Sequence, residues 1–179
     1  MRAARRIALV GLAALVAACA SPSSPTIGAA SDQWLGRFSL VVTEPGVERQ
    51  QEKVQGRFEL RAHGERRALT VYSPFGQTMA ELEDRPGYAR LTTSDGKVLE
   101  ADSAENLLEQ ALGWRLPVHE LPAWLGARAT EPQTPGSDWR IRVASEFQDG
   151  RPRILEAEWP AKPRVGAREI QVRIVVDKP

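Results

Sequence analysis

Leu69-Thr70-Val71-Tyr72-Ser73-Pro74-Phe75-Gly76-Gln77-Thr78-Met79-Ala80-Glu81-Leu82 reads as two short strands joined by a turn with an aromatic residue at its tip. Ser73 suits the first position of a type I turn, Pro74 the second with its φ already set, and Gly76 the fourth. Phe75 then falls at the third position, where a side chain points away from the sheet. A phenyl ring there either folds back onto a neighbouring core or meets something apolar outside the molecule. The turn by itself leaves both open.

Working outward, the same period of two recurs in short runs on either side. Phe38, Leu40 and Val42 alternate with Arg37, Ser39 and Val41; Val54, Gly56, Phe58, Leu60 and Ala62 alternate with Gln55, Arg57, Glu59 and Arg61. Each run has one apolar and one wet face, the pattern of a half-buried strand. Turn signals punctuate them at Glu44-Pro45-Gly46, His63-Gly64-Glu65, Arg85-Pro86-Gly87 and Ser94-Asp95-Gly96, with strands expected over Tyr88–Thr93 and Lys97–Ala101. Past the middle, Trp139 to Phe147, Ile154 to Trp159 and Ile170 to Val176 supply further strands, the first two separated by Gln148-Asp149-Gly150. Consecutive strands at this spacing predict an antiparallel meander that curls or closes.

The period changes at Asp102-Ser103-Ala104-Glu105, where Asp102 or Ser103 can cap a helix and Glu105 can reach back to its start. Ala104, Leu107, Leu108, Ala111 and Leu112 form a helical stripe that Gly113 ends. Pro117 opens a second, shorter helical segment carrying Val118, Leu121, Trp124 and Leu125, closed by Gly126. Helices with one apolar side, inserted into a meander, must lay that side on a sheet face. The expectation is mainly β with a helical lid: a half-open antiparallel barrel of about 9–11 strands under two or three short helices.

The start of the chain stands apart from that domain. Arg2, Arg5 and Arg6 precede an apolar run from Ile7 to Val16, the order of a signal peptide and too short to span a bilayer. Val16-Ala17-Ala18-Cys19 resembles the lipobox of bacterial lipoproteins, and Cys19 is the only cysteine, which excludes a disulfide within the chain. The expected division is 1–18 signal peptide, 19–31 lipidated tether and 32–179 a single domain. Removing residues 1–18 takes three of 24 basic residues and none of the 23 acidic ones, so the mature charge is −2 and nucleic acid is not the expected partner. The lipobox resemblance implies acyl chains on Cys19, each buried methylene contributing about 0.8 kcal/mol to membrane residence. Ala20, in place of the aspartate that retains such lipoproteins at the inner membrane, implies the outer one. Ala20 to Ser31 is small, polar and proline-containing, with a coil reach of roughly 20 Å.

Catalytic constellations are not legible. His63 and His119 lack partners at nucleophile or metal-ligand spacing, no phosphate loop or Gly-x-Ser-x-Gly occurs, and Glu81, Glu83 and Asp84 read as a solvated edge rather than a cation site. Arg57, Arg61, Arg66 and Arg67 read as solubility and edge protection. No cofactor, metal or enzymatic activity is expected.

The lipobox, the tether, the Ser-Pro-Phe-Gly-Gln-Thr turn, the stretch Asp102 to Val118 and Leu121-Pro122-Ala123-Trp124-Leu125-Gly126 occur in an order that resembles the LolB family of outer-membrane lipoprotein receptors. The resemblance implies a half-open barrel of about eleven strands with an apolar cavity under helices. It implies a monomer that accepts lipoproteins from a LolA-like periplasmic carrier and inserts them into the inner leaflet of the outer membrane. Phe75, flanked by Pro74 and Gly76, matches the family's protruding loop leucine and would be the membrane-insertion residue. For the acyl-chain cavity the candidates are Phe38, Leu40, Phe58, Leu60, Leu69 and Val71 from the sheet, with Leu108, Leu112, Trp124 and Leu125 from the lid. For each of these, ordinary core packing is the competing reading. The competing function is a non-catalytic scaffold lipoprotein docking an envelope protein; a periplasmic hydrolase would need a convergent polar site.

Overall fold

The computed structural model describes residues 32–46, 51–126, 138–162 and 166–177. The signal peptide, Cys19 and the tether assigned to 1–31 lie outside these described residues.

The alternating runs become nine strands: β1 Asp32–Thr43, β2 Gln51–His63, β3 Arg66–Tyr72, β4 Thr78–Arg85, β5 Tyr88–Thr93, β6 Val98–Ala101, β7 Arg140–Glu146, β8 Pro152–Trp159 and β9 Glu169–Val176. Two helices, α1 Ala104–Leu112 and α2 Leu121–Gly126, interrupt them. All nine strands form one antiparallel sheet in the order β6-β5-β4-β3-β2-β1-β9-β8-β7. The first and last strands pair along Gly36–Thr43 and Glu169–Val176, so the chain's two halves meet in the sheet's interior and β6 and β7 are its edges. The helices connect one edge to the other and thereby roof the concave face, which is the expected half-open barrel with a lid.

Three hairpins use the same three-residue loop. At Pro74-Phe75-Gly76, Ser73 N–H donates to Gln77 O at 2.8 Å and Gly76 N–H to Ser73 O at 2.9 Å; Ser94-Asp95-Gly96 and Gln148-Asp149-Gly150 repeat both bonds. The third residue is in each case a glycine at φ between 82° and 86°. That is a type I turn followed by a left-handed residue, a conformation only glycine adopts without a steric penalty. β6 starts at Val98, one residue later than expected, because Lys97 O accepts the N–H of Thr93 and closes the loop.

Ser103 is the N-cap of α1, its Oγ accepting from Asn106 N–H at 3.3 Å, and Gly113 at φ 77° ends it with its N–H on Glu109 O at 2.8 Å. The expected return of Glu105 to the helix start does not form. A capping box needs the acid one position later, where Asn106 stands, and Glu105 instead faces His119. The second helix begins at Leu121 rather than at Pro117; residues 118–120 form a preceding turn, and Pro122 falls in the first helical turn, where its missing N–H costs nothing.

Candidate functional site

The register lines up inward-facing residues in rows across the sheet. Leu60, Leu69, Leu82, Leu91 and Leu99 are successive partners on β2 to β6, and Trp34 extends the row onto β1. One row further along, Gly36, Phe58, Val71, Ala80 and Thr93 are likewise partners. Leu40 with Val172 and Phe38 with Ile174 carry the apolar surface across the β1–β9 join. Alternation on single strands is thus converted by pairing into one continuous apolar floor.

Two glycines shape it. Gly36 stands opposite Phe58 and Gly56 opposite Phe38, each on the neighbouring strand. A Cβ at Gly36 would come within 2.7 Å of Phe58 Cε1 and one at Gly56 within 2.9 Å of Phe38 Cε1. The rings therefore lie flat over the glycines instead of standing up into the barrel. Space above them is left open.

Above this floor the two helices leave a cavity of about 520 Å³, within the roughly 300–1,000 Å³ of sites that bury small ligands. All ten cavity candidates from the sequence line it. They divide by depth. Phe58, Leu60, Leu108, Trp124 and Leu125 are buried, so packing and cavity wall are the same surface there; Phe38, Leu40, Leu69 and Val71 are half-buried, and Leu112 is 47% exposed at the rim. The sequence reading missed Met79, Leu82, Leu91, Leu99, Trp114, Leu116, Val172 and Ile174 among the lining residues. Leu82, Leu91, Leu99, Val172 and Ile174 were available from the same alternation; Met79 was not, because it is out of phase with Ala80 and Leu82 and falls where the β3–β4 register shifts from Val71–Ala80 to Tyr72–Thr78. Trp114 and Leu116, in the connection after α1, carried no periodic signal. Thr93 is the single polar side chain in the lining, so the cavity offers burial and little else.

Behind the helices, Trp139 packs against Trp114 and Trp124 with ring centroids 5.9 and 6.0 Å apart. Its Nε1 donates to Arg115 O at 3.1 Å, which fastens the lid to the start of β7. At the other side, His119 Nδ1 donates to Glu105 Oε1 at 2.6 Å and its backbone N–H to the same oxygen at 3.4 Å. Burial pushes Glu105 up, but the hydrogen bonds from His119 and from its own backbone N–H together outweigh it and hold the carboxyl below its usual value. Asp84 is not part of a solvated edge, as the sequence suggested. It alternates with Ala80 and Leu82 on the inner face of β4 and accepts the Ala104 N–H at 3.3 Å at the start of α1, while Glu81 and Glu83 are exposed. Among the described residues no cluster of His, Cys, Asp and Glu is arranged to hold a metal ion.

Phe75 stands at the tip of the β3–β4 loop with 94% of its surface exposed. The two alternatives left by the turn are resolved: the ring does not fold back. Met79, four residues on, is both exposed and part of the cavity lining, so the loop projects from the rim of the cavity.

Comparison with known proteins follows the same line. The family model described as Outer membrane lipoprotein LolB matches residues 36–178. A protein of Bordetella petrii described as an outer-membrane lipoprotein LolB is 44% identical over 147 residues, covering 78% of this chain and 72% of its own. A counterpart from Bordetella pertussis is 35% identical over 94% of this chain and 89% of its own, and one from Cupriavidus necator 35% identical over 99% and 98%. With the matched region spanning β1 to β9, the chain belongs to the LolB family of outer-membrane lipoproteins.

Proposed function

We propose that this protein is an outer-membrane receptor that takes lipoproteins from a LolA-like periplasmic carrier, shelters their acyl chains in the cavity and delivers them into the inner leaflet, itself anchored through Cys19. The observation that carries the reading is the apolar cavity of about 520 Å³ with a fully projecting Phe75 at its rim. A lipoprotein's acyl chains forfeit about 0.8 kcal/mol per methylene when exposed to water. An apolar cavity removes that cost by burial alone, without a covalent step or a cofactor. Transfer then runs from weaker to stronger burial, ending in the bilayer. A scaffold lipoprotein has no use for such a cavity, and membership of the family also favours the receptor. Phe75 would enter the membrane first. Burying one phenylalanine side chain contributes about 1.5–3 kcal/mol, enough to hold the rim against lipid without fixing it there.

The test uses the full lipidated chain in phospholipid vesicles, with carrier loaded with a labelled lipoprotein. Label should leave the carrier and enter the bilayer without an energy source. With Phe75→Glu, label should still leave the carrier but accumulate on the receptor, with insertion reduced at least about tenfold, since the lost contact is worth more than 1.4 kcal/mol. Label that stays on a folded carrier in the presence of the wild-type chain rules the receptor reading out; normal insertion by Phe75→Glu removes the role of the loop.

A further inference from the structure

The lid helix α1 is held unevenly along its length. Ala104 is fully buried, Leu107 and Leu108 nearly so, and Asp84 and His119 both bind the first turn. From Glu109 to Leu112 every residue is exposed, although Ala111 and Leu112 still roof the cavity. The chain is anchored again at Trp114, which is buried. The last turn of α1 therefore lies between two fixed points and covers the cavity rim with little packing of its own.

That turn also ends in carbonyls that carry partial negative charge, and α1 has no basic residue in its last turn to meet them. Arg168, just before β9, meets them from across the opening. Its Nη1 donates to Gly113 O at 3.2 Å and to Leu112 O at 3.4 Å, and its Nε lies 2.7 Å from Glu44 Oε1 at the end of β1. A Cβ at Gly113 would approach Nη1 to 2.7 Å, so the glycine that ends the helix also makes the seat for the guanidinium. Both carbonyl bonds are longer than the usual 2.9–3.0 Å for N–H to oxygen. They are contacts that a better acceptor can replace.

The geometry points to Arg168 as a carbonyl-binding residue of the cavity mouth: it fastens the last turn of α1 over the empty cavity and passes to the ester carbonyls at the head of entering acyl chains, which frees that turn. Leu112, whose carbonyl it holds, is itself a lining residue at the rim, so the polar end of a chain lying along Leu112 arrives beside the guanidinium. Glu44 keeps the side chain in place during the exchange. Arg168 here is a positioning residue for the lid and a contact for the ligand's polar end. The ligand half rests on the acyl-chain reading above; the fastening of α1 does not.

Hydrogen exchange read by mass spectrometry on the full lipidated chain in phospholipid nanodiscs separates the two. In Arg168→Met the amides of residues 109–113, including Gly113 N–H on Glu109 O, should exchange about tenfold faster than in the wild type, with Leu107 unchanged. Arg168→Lys, which keeps the charge and loses the fork, should fall between them and serves if the methionine variant does not fold. Next, 1,2-dioctanoylglycerol and its diether analogue are added. In the wild type the diester should speed exchange at residues 109–113 and the diether should not; in Arg168→Met neither should change it further. Wild-type exchange in both variants overturns the fastening of α1, and equal responses to diester and diether overturn the carbonyl exchange. If neither lipid affects any residue of the wild type, the acyl-chain reading fails and the ligand half falls with it, while the comparison without lipid still decides whether Arg168 fastens the helix.

Discussion

Asp84 shows how a single residue can be misread when only its neighbours in sequence are seen. Between Glu83 and Arg85 it resembles surface, yet it faces inward on β4 and supplies the acceptor for the first amide of α1. Burial and the nearby Glu105 both raise its pKa above the usual aspartate value, against the pull of the Ala104 N–H and of Arg67 directly opposite on β3. A raised folded-state pKa means that the protonated form suits the fold, so this group adds stability at low pH and withdraws it as the pH climbs through that value. Asp84→Asn keeps an acceptor for Ala104 and cannot ionise. It should melt about 2 °C above the wild type at pH 7, with the gap closing by about pH 3, below the unfolded aspartate range. Thermal melts of both proteins across that interval decide it: an asparagine variant that melts lower at pH 7, or a gap indifferent to pH, would show that the negative charge at the helix start outweighs its cost.

At the scale of elements, the Gly36–Phe58 and Gly56–Phe38 pairs lay two rings against the backbone of β1 and β2. In Gly56→Val the new Cβ would collide with the Tyr72 carbonyl and with the Phe38 ring, which has only the cavity to move into. The expected loss is about 2–3 kcal/mol, measurable by denaturant unfolding, whereas Gln55→Val on the exposed face should stay within about 0.5 kcal/mol. Equal effects of the two would deny the glycine its packing role. Local chemistry made much of this legible beforehand. Pro74-Phe75-Gly76 and its two sister loops are fixed by a glycine in the third place, Ser103 and Gly113 bound α1 by their own side chain or lack of one, and alternation on the strands together with helical spacing in the lid picked out residues that line the cavity. Long-range partners were not legible. The pairing of β1 with β9, the contact of Glu105 with His119 fourteen residues away, and the reach of Arg168 to Gly113 depend on register and on how the lid crosses the sheet. Neither a period of two nor one of 3.6 residues pairs such partners. The alternation on β4, β5 and β9 was as clear as on β1 to β3, but only the sheet order shows that those strands share the same floor.

Over the whole molecule, register places the chain's entry and its projecting loop at opposite ends of the sheet. Asp32 shares a row with Ala62, Arg67 and Asp84, beside the β2–β3 turn, whereas Phe75 lies beyond Tyr72 at the far end of β3. At about 3.3 Å per residue along a strand and about 4.8 Å between strands, Asp32 and the tip of the loop are on the order of 25 Å apart. The proposed anchor at Cys19 and the proposed insertion loop must nevertheless touch the same bilayer, so on this proposal the domain has to lie over or invert on the segment that joins it to Cys19. The twelve residues from Ala20 to Ser31, with a coil reach of roughly 20 Å and an extended limit of about 40 Å, allow that. Four residues, about 13 Å fully extended, do not. Deleting residues 21–28 should therefore leave anchoring, folding and uptake from the carrier intact and lower insertion several-fold, and a Gly-Ser segment of the original length should restore it, because reach rather than sequence is what the tether contributes. Membrane fractionation and the vesicle transfer assay measure the two halves separately. Full insertion by the shortened chain would mean that Phe75 does not enter the membrane holding the anchor, and that the rim delivers its cargo some other way.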